Sequence, residues 1–156
     1  MKFFCIVVFF ASVFSSNSIA SIDYFYIHKM DGAKIKVDIK ALELFPSETV
    51  ITDTIYTGTE EFTGVQFKKI FEKYNVNGVY VRAFAWDDYS YTIKVSELED
   101  CHVILAYKQN GEYMSIEELG PFAIIYPKEA CPYMNKLDIN AKTVMQVKDL
   151  ELRNNE

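Results

Sequence analysis

Apolar and polar positions alternate along most of this chain, and the elements they predict are chiefly strands. Tyr24-Phe25-Tyr26-Ile27-His28 and Ile35-Lys36-Val37-Asp38-Ile39 flank Asp31-Gly32, which predicts two strands joined by a turn. Leu42 to Phe45 is a short apolar stretch stopped by Pro46, and Glu48 to Tyr56 is β-branched enough to form a strand, with Thr57 to Glu61 as loop. Val65, Phe67, Ile70, Phe71 and Tyr74 then fall on one helical stripe beside Lys68, Lys69, Glu72 and Lys73. Thr63 with Gln66 reads as the capping box that opens this helix, and Asn77-Gly78 as its end. Val79 to Ala85 and Tyr89 to Val95 form a hairpin around Asp87-Asp88, and Ser96 with Glu99 is a second capping box opening a short helical turn. Val103 to Lys108, Phe122 to Tyr126 and Thr143 to Leu152 complete the strands, with Asn110-Gly111 as a turn and Pro127 to Lys142 as a long loop. Many short strands and few short helices predict an α+β domain on a mixed sheet, with the helix near residues 65–74 packed on one face.

The amino terminus reads differently. Lys2 precedes an almost unbroken apolar run from Phe3 to Phe14, and Ser15 to Ala20 turns small and polar. This is the pattern of a secretory signal peptide, with cleavage expected after Ala20. The run is about half of the ~20 residues a spanning helix needs. The expected domains are therefore residues 1–20 as signal and 21–156 as one mature domain, exported to the periplasm or secreted, with no membrane span after cleavage.

Charge narrows the partners. The whole chain carries 16 Lys+Arg against 22 Asp+Glu, and losing residues 1–20 takes one Lys and no acid, leaving a mature charge of −7. The cations are scattered, so neither a nucleic-acid surface nor an anionic-lipid anchor is expected. Export permits a disulfide between Cys101 and Cys131. Sequence supplies no Cα separation, so the expectation is a buried Cys101 and a loop thiol at Cys131, with the bridge as the alternative. With His28 and His102 as the only imidazoles and no Cys-x-x-Cys pair, no metal site is expected. The chain has no Gly-rich phosphate loop and no Gly-x-Ser-x-Gly elbow.

The ordered blocks Phe62-Thr63-Gly64-Val65, Ala85 to Ser90, Leu105-Ala106-Tyr107, Asn110-Gly111-Glu112, Leu119-Gly120-Pro121-Phe122 and Ile124 to Pro127 carry a resemblance. Over about residues 48–152 the chain resembles the oxidoreductase molybdopterin-binding domain, the sulfite-oxidase fold, in its short exported single-domain form. The amino-terminal hairpin adds nothing to this likeness. The resemblance implies a mixed sheet with a small barrel-like β core and flanking helices, and molybdopterin as the cofactor it would bring. It also implies a metal-binding cysteine thiolate on the strand and turn before the helix. Here that stretch is Ile51 to Gly58, which has no cysteine; Thr52 or a neighbour stands at the position, and a hydroxyl is a far poorer ligand. The resemblance further implies an arginine two positions after the proline of the Gly-Pro block, where this chain has Ala123. Losing that planar fork weakens any grip on a pterin phosphate.

The residues expected to line a ligand or cofactor cleft are Thr52, Thr54, Tyr56, Arg82, Trp86, Asp87, Asp88, Tyr89, Ser90, Tyr107, Gly120 and Pro121; Tyr126 is a further aromatic candidate. Asp87 to Ser90 offers acceptors and donors together, although a hairpin turn with solvated acids is its simpler reading. Arg82 is expected to pair with a surface acid. The expected function is a non-enzymatic, exported module that binds a small ligand or a periplasmic or membrane protein partner. The competing reading is a periplasmic molybdopterin-dependent oxidoreductase or its subunit. A third is an interaction protein that depends on Cys101 and Cys131.

Overall fold

A computed structural model describes residues 22–156, so the signal-peptide expectation lies outside the described residues. The strands are β1 (Tyr24–His28), β2 (Lys34–Asp38), β3 (Glu48–Asp53), β4 (Thr59–Gln66), β5 (Tyr80–Ala85), β6 (Ser90–Lys94), β7 (Ile104–Gln109), β8 (Glu112–Tyr113), β9 (Ala123–Ile125) and β10 (Val147–Arg153). The helices are α1 (Ile39–Leu42), α2 (Phe67–Lys73), α3 (Val95–Asp100) and α4 (Lys136–Lys142). One sheet runs β2-β1-β10-β5-β6, with β1 and β10 parallel and its other pairs antiparallel. The second runs β3-β4-β7-β8, with β9 also on β7. This is the expected α+β domain, with the first sheet mixed and the second wholly antiparallel. Among the described residues no helix is long and apolar enough to cross a membrane.

The two sheets differ in how their faces are used. In the first, Phe25, Ile27, Val81, Ala83 and Leu150 point into the core, while Tyr26, His28, Arg82, Phe84 and Asp149 stay half exposed on the other side. That alternation marks a sheet with one wet face. The second sheet is covered on both faces around β7 and β9, while its β3 edge stays largely exposed. Leu105, Tyr107 and Ile124 join the main core, whereas Ile104, Ala106, Ala123 and Ile125 join Phe62, Met114 and Met145 in a second cluster. Phe25 and Phe122 meet edge to face with centroids 4.9 Å apart, tying the first sheet to the entrance of β9.

Several expected boundaries shift. The loop expected at Thr57 to Glu61 is turn only to Gly58, because β4 starts at Thr59. Thr63 caps no helix: it lies within β4, with its hydroxyl 3.2 Å from that of Thr49 across the ladder. Phe62 and Val65 are buried, so strand packing carries this segment as far as Gln66, and α2 starts only at Phe67. Gly64 fits where β4 shifts register against β7. A Cβ there would come within 2.6 Å of Ala106 Cα and 2.7 Å of Leu105 C. Ser96 likewise lies inside α3, whose cap position is Lys94 with no side-chain capping bond. The long loop expected at 127–142 holds a 3₁₀ turn at Lys128–Ala130 and the helix α4, capped by Asn135, whose side chain accepts from the Asp138 N–H at 2.9 Å. The last strand begins at Val147, four residues later than expected. Asn110 and Gly111 both take positive φ, 51° and 84°, as a tight hairpin turn requires.

Candidate functional site at the end of β3 and the open sheet face

The residues singled out in the sequence separate into three places. The first is the turn after β3. Thr52 is buried, 7 % exposed, and its hydroxyl donates only to its neighbour's carbonyl, Asp53 O, at 3.4 Å. Thr54 closes the turn: its Oγ1 accepts from the Tyr56 and Thr57 N–H groups at 3.1 and 3.0 Å and lies 3.0 Å from Thr57 Oγ1. Such a hydroxyl serves the backbone of its own turn. Tyr56 is half exposed and stands near Tyr89 of the β5–β6 hairpin. Burial pushes the Tyr89 phenol up from its ordinary value, and the neighbouring Tyr56 adds to this.

Between these groups sits Asp53, which the sequence reading passed over. It is bound by Lys128, and Lys136 Nζ lies 3.3 Å from its other carboxylate oxygen. The hydrogen bonds from Lys128 and then Lys136 hold its carboxyl down at about 2. Both lysines come from the segment between Pro127 and Lys142, which straps across this end of the molecule. A Cys101–Cys131 disulfide fastens the strap to α3, with the two Cα atoms 5.3 Å apart. Lys142 Nζ donates to Glu97 Oε2 at 2.6 Å, Tyr126 OH donates to Glu97 Oε1 at 2.8 Å, and Tyr89 OH donates to Ala141 O at 2.7 Å. The expectation of unpaired cysteines is thereby corrected: Cys101 is the C-cap of α3, and that turn brings it to Cys131. Tyr126, expected at a cleft, is buried, and burial with the adjacent Glu97 carboxylate drives its phenol far above the ordinary range.

Because the Asp53 carboxyl is depressed in the folded protein, its ion pairs stabilise at pH values above the ordinary carboxylate range. They are lost as pH falls toward 2. An Asp53→Asn variant should therefore unfold at lower denaturant than wild type at pH 7, with the difference closing progressively in acid. Urea titrations across pH measure this, and a gap unchanged at low pH would contradict the assignment. Asp53 and both lysines reach solvent, Lys136 most of all, so added salt should shrink the gap as well.

The second place is the wet face of the first sheet. Arg82 meets no surface acid, contrary to expectation: its Nε and Nη2 donate to Ser90 Oγ at 3.2 and 2.9 Å, and its guanidinium lies 5.1 Å from the Phe84 ring centroid. Arg82, Asp88 and Ser90 share a cleft of about 460 Å³ with His28, Lys148 and Asp149. His28 Nε2 and Asp149 Oδ1 are 2.6 Å apart within it. Asp87 is a turn residue whose carboxylate accepts from the Tyr89 N–H at 3.0 Å, and Asp88 takes a φ of 68°, so the hairpin reading holds. Trp86 carries Lys148 Nζ 5.2 Å from its ring centroid. Its Nε1 is the one buried side-chain polar atom without a partner among the described residues.

The third place lies apart from both. Tyr107 is buried in the main core, and burial raises its phenol. Gly120 precedes a cis peptide bond to Pro121, and a Cβ on Gly120 would stand 2.6 Å from Met114 C. Pro121 borders a larger cleft of about 710 Å³, lined by apolar groups such as Ile22, Ile39 and Ile116. Tyr107, Gly120 and Pro121 line neither the β3 turn nor the open-face cleft: Tyr107 packs in the core, Gly120 forms a backbone bend, and Pro121 borders the apolar cleft instead.

Comparison with known proteins bears on what this arrangement descends from. The family description "oxidoreductase molybdopterin binding domain" matches residues 24–137. The chain belongs to this family. Among solved structures, the sulfane dehydrogenase SoxCD from Paracoccus pantotrophus is similar, with a TM-score of 0.64 and 16% sequence identity. The likeness covers 85% of this chain and 38% of that one, so this chain spans well under half of the SoxCD chain, and what the two share is the fold. No curated protein matches this chain in sequence. The family match begins at residue 24, so the amino-terminal hairpin belongs to the molybdopterin-binding domain after all. The structure gives the reason: β1 is an interior strand of the first sheet, hydrogen-bonded to β2 on one edge and to β10 on the other.

The family would bring a molybdopterin, and the residues at the end of β3 do not fit one anchored by a thiolate. The donors there are two threonine hydroxyls already bonded locally and a carboxylate already held by two lysines. The described cysteines, Cys101 and Cys131, are joined to each other. Ala123 is fully buried on β9 and offers nothing to a phosphate.

Proposed function

We propose that this protein is an exported binding module on the molybdopterin-binding-domain scaffold, holding a small ligand or a partner protein without a thiolate-anchored metal centre. The observation that carries the reading is the state of the β3 turn. Thr54 spends its hydroxyl inside the turn, and Asp53 is neutralised by Lys128 and Lys136 from a strap fastened to α3. A site that was kept open for a metal and a long phosphate-bearing cofactor would need those groups unpaired, because Thr54 would otherwise have to give up its turn hydrogen bonds and Asp53 its charge-assisted ones before binding. The apolar run at Phe3 to Phe14 and the Ser18-Ile19-Ala20 ending support export, and a disulfide suits an oxidising compartment.

Cofactor loading tests this reading. Wild type and Thr52→Cys are made side by side in a host that synthesises the pterin cofactor, and each is assayed for molybdenum and pterin. Both are expected at background, since the variant restores a sulfur but neither frees Asp53 nor supplies an arginine at Ala123. Stoichiometric molybdenum in wild type would overturn the proposal and favour an oxidoreductase. The same preparation, recovered from the exported fraction, should begin at Ser21.

A further inference from the structure

We propose that the open face of the first sheet carries an anion-binding cleft, built on Arg82 and Lys148 with Lys34 at its far side, that takes a small organic carboxylate. This deepens the binding reading by naming a ligand class, at residues separate from the β3 turn.

The first support is how the charges in the cleft are balanced. Among the described residues, Arg82, Lys148 and Lys34 have no carboxylate within 4 Å; of the three carboxylates in the same lining, Asp149 is hydrogen-bonded to His28, Glu151 is paired with Arg153, and Asp88 lies on the hairpin turn. The three cations rest on aromatic rings instead: Arg82 at 5.1 Å from Phe84, Lys148 at 5.2 Å from Trp86, and Lys34 at 3.7 Å from Tyr26. An aromatic face fixes a cation in place without cancelling its charge. The lining is formally balanced, Arg82, Lys148 and Lys34 against Asp88, Asp149 and Glu151, but none of the three cations is in direct contact with a carboxylate, so an anion entering the cleft has no ion pair to break at them.

The second support is geometric. The Arg82 guanidinium is held on one edge by Ser90 and against a face by Phe84, and Nη1 makes no hydrogen bond among the described residues. A planar fork fixed on two sides, with a free edge, is prepared for the two oxygens of a carboxylate at little further entropic cost. Lys148 sits where β10 shifts register against β5 between Val147 and Asp149. The irregularity breaks strict alternation, leaving Lys148 and Asp149 both half exposed along the same cleft. Phe84 and Ala85 line the cleft as well, giving an apolar floor for the organic body of the ligand.

The test is isothermal titration of the mature, disulfide-bonded protein with sodium benzoate at low salt, and in parallel with sodium phosphate. Saturable one-site binding of benzoate is expected, weakened tenfold or more by Arg82→Ala and by Lys148→Ala, and several-fold by Arg82→Lys, which keeps the charge and loses the fork. Lys68→Ala removes an equal charge from the exposed side of α2 and should leave the affinity within twofold. Should an Arg82 variant fold poorly by circular dichroism, Ser90→Ala serves instead: it keeps the cation, removes its anchor, and should weaken benzoate several-fold. Absence of saturable benzoate binding, an equal loss in Lys68→Ala, or binding of phosphate alone would overturn the proposal. None of these readouts depends on molybdenum content, so this inference and the reading of the β3 turn fail separately.

Discussion

Phe122→Ala should cost about 3–5 kcal/mol of stability, as large aromatic truncations in a closed core do. Phe122 is fully buried, packs edge to face on Phe25, and accepts a backbone hydrogen bond from Val147 N at 2.9 Å. It therefore touches β1 and β10 of the first sheet from a position leading into β9 of the second. Removing the ring opens a void where the two sheets are joined, and neither sheet can close over it without moving the other. Urea unfolding monitored by tryptophan fluorescence and circular dichroism measures the loss. Leu137→Ala is the matched control: Leu137 is 80 % exposed on α4, and its truncation should change stability by no more than ~0.5 kcal/mol. A loss under 1 kcal/mol for Phe122→Ala would contradict the packing described here.

The second large effect is expected from the disulfide. Cys101 and Cys131 are 30 residues apart, and closing a loop of that size in the unfolded chain corresponds to about 3–4 kcal/mol. The double variant Cys101→Ala/Cys131→Ala should lose roughly that amount, and dithiothreitol should lower wild type to nearly the same level. The loss should be local before it is global. With the bridge gone, the strap is left with its Glu97, Tyr89 and Asp53 contacts and the packing of Ile139 and Met134 on the core, so proteolysis should cut within residues 127–142 before it cuts elsewhere. Two thiols reacting in the native, unreduced protein would show that the bridge does not form.

How much of this was legible beforehand follows from where each signal resides. The first sheet could be read because one of its faces is wet, so period-two alternation is written directly into Tyr24 to His28 and Val79 to Ala85. The start of α2 was misread because Thr63-x-x-Gln66 is a helix-opening pattern locally, while the tertiary environment buries Phe62 and Val65 on opposite faces of a doubly covered sheet. Only knowledge of the covering layer resolves that conflict. The helix α4 was missed because one of its residues, Ile139, is buried, which leaves little periodicity to find; its Asn135 cap was the available signal.

The site was legible in part, for a related reason. Position 52 and the absence of a thiolate were readable along the chain, but the pairing of Asp53 with Lys128 and Lys136 joins residues more than seventy positions apart, and no local pattern encodes it. The alternation of β5 puts Arg82 on the same face as Phe84, yet its partner is not a surface acid but Ser90 on the adjoining strand, where Phe84 and Ser90 are in register. Tyr107 and Gly120 were chosen for belonging to the right blocks. Their burial shows that such blocks can recur for packing reasons as well as for chemistry.

On the proposed reading, the internally satisfied β3 turn of this molybdopterin-binding-domain protein holds no thiolate-anchored metal centre. Native mass spectrometry of the wild-type protein, purified under non-reducing conditions from the exported fraction of a cofactor-synthesising host, tests it most directly. The account predicts a single species at the mass of residues 21–156 less two hydrogens, with no molybdenum or pterin attached. A species heavier by the mass of a molybdenum-bearing pterin would contradict it.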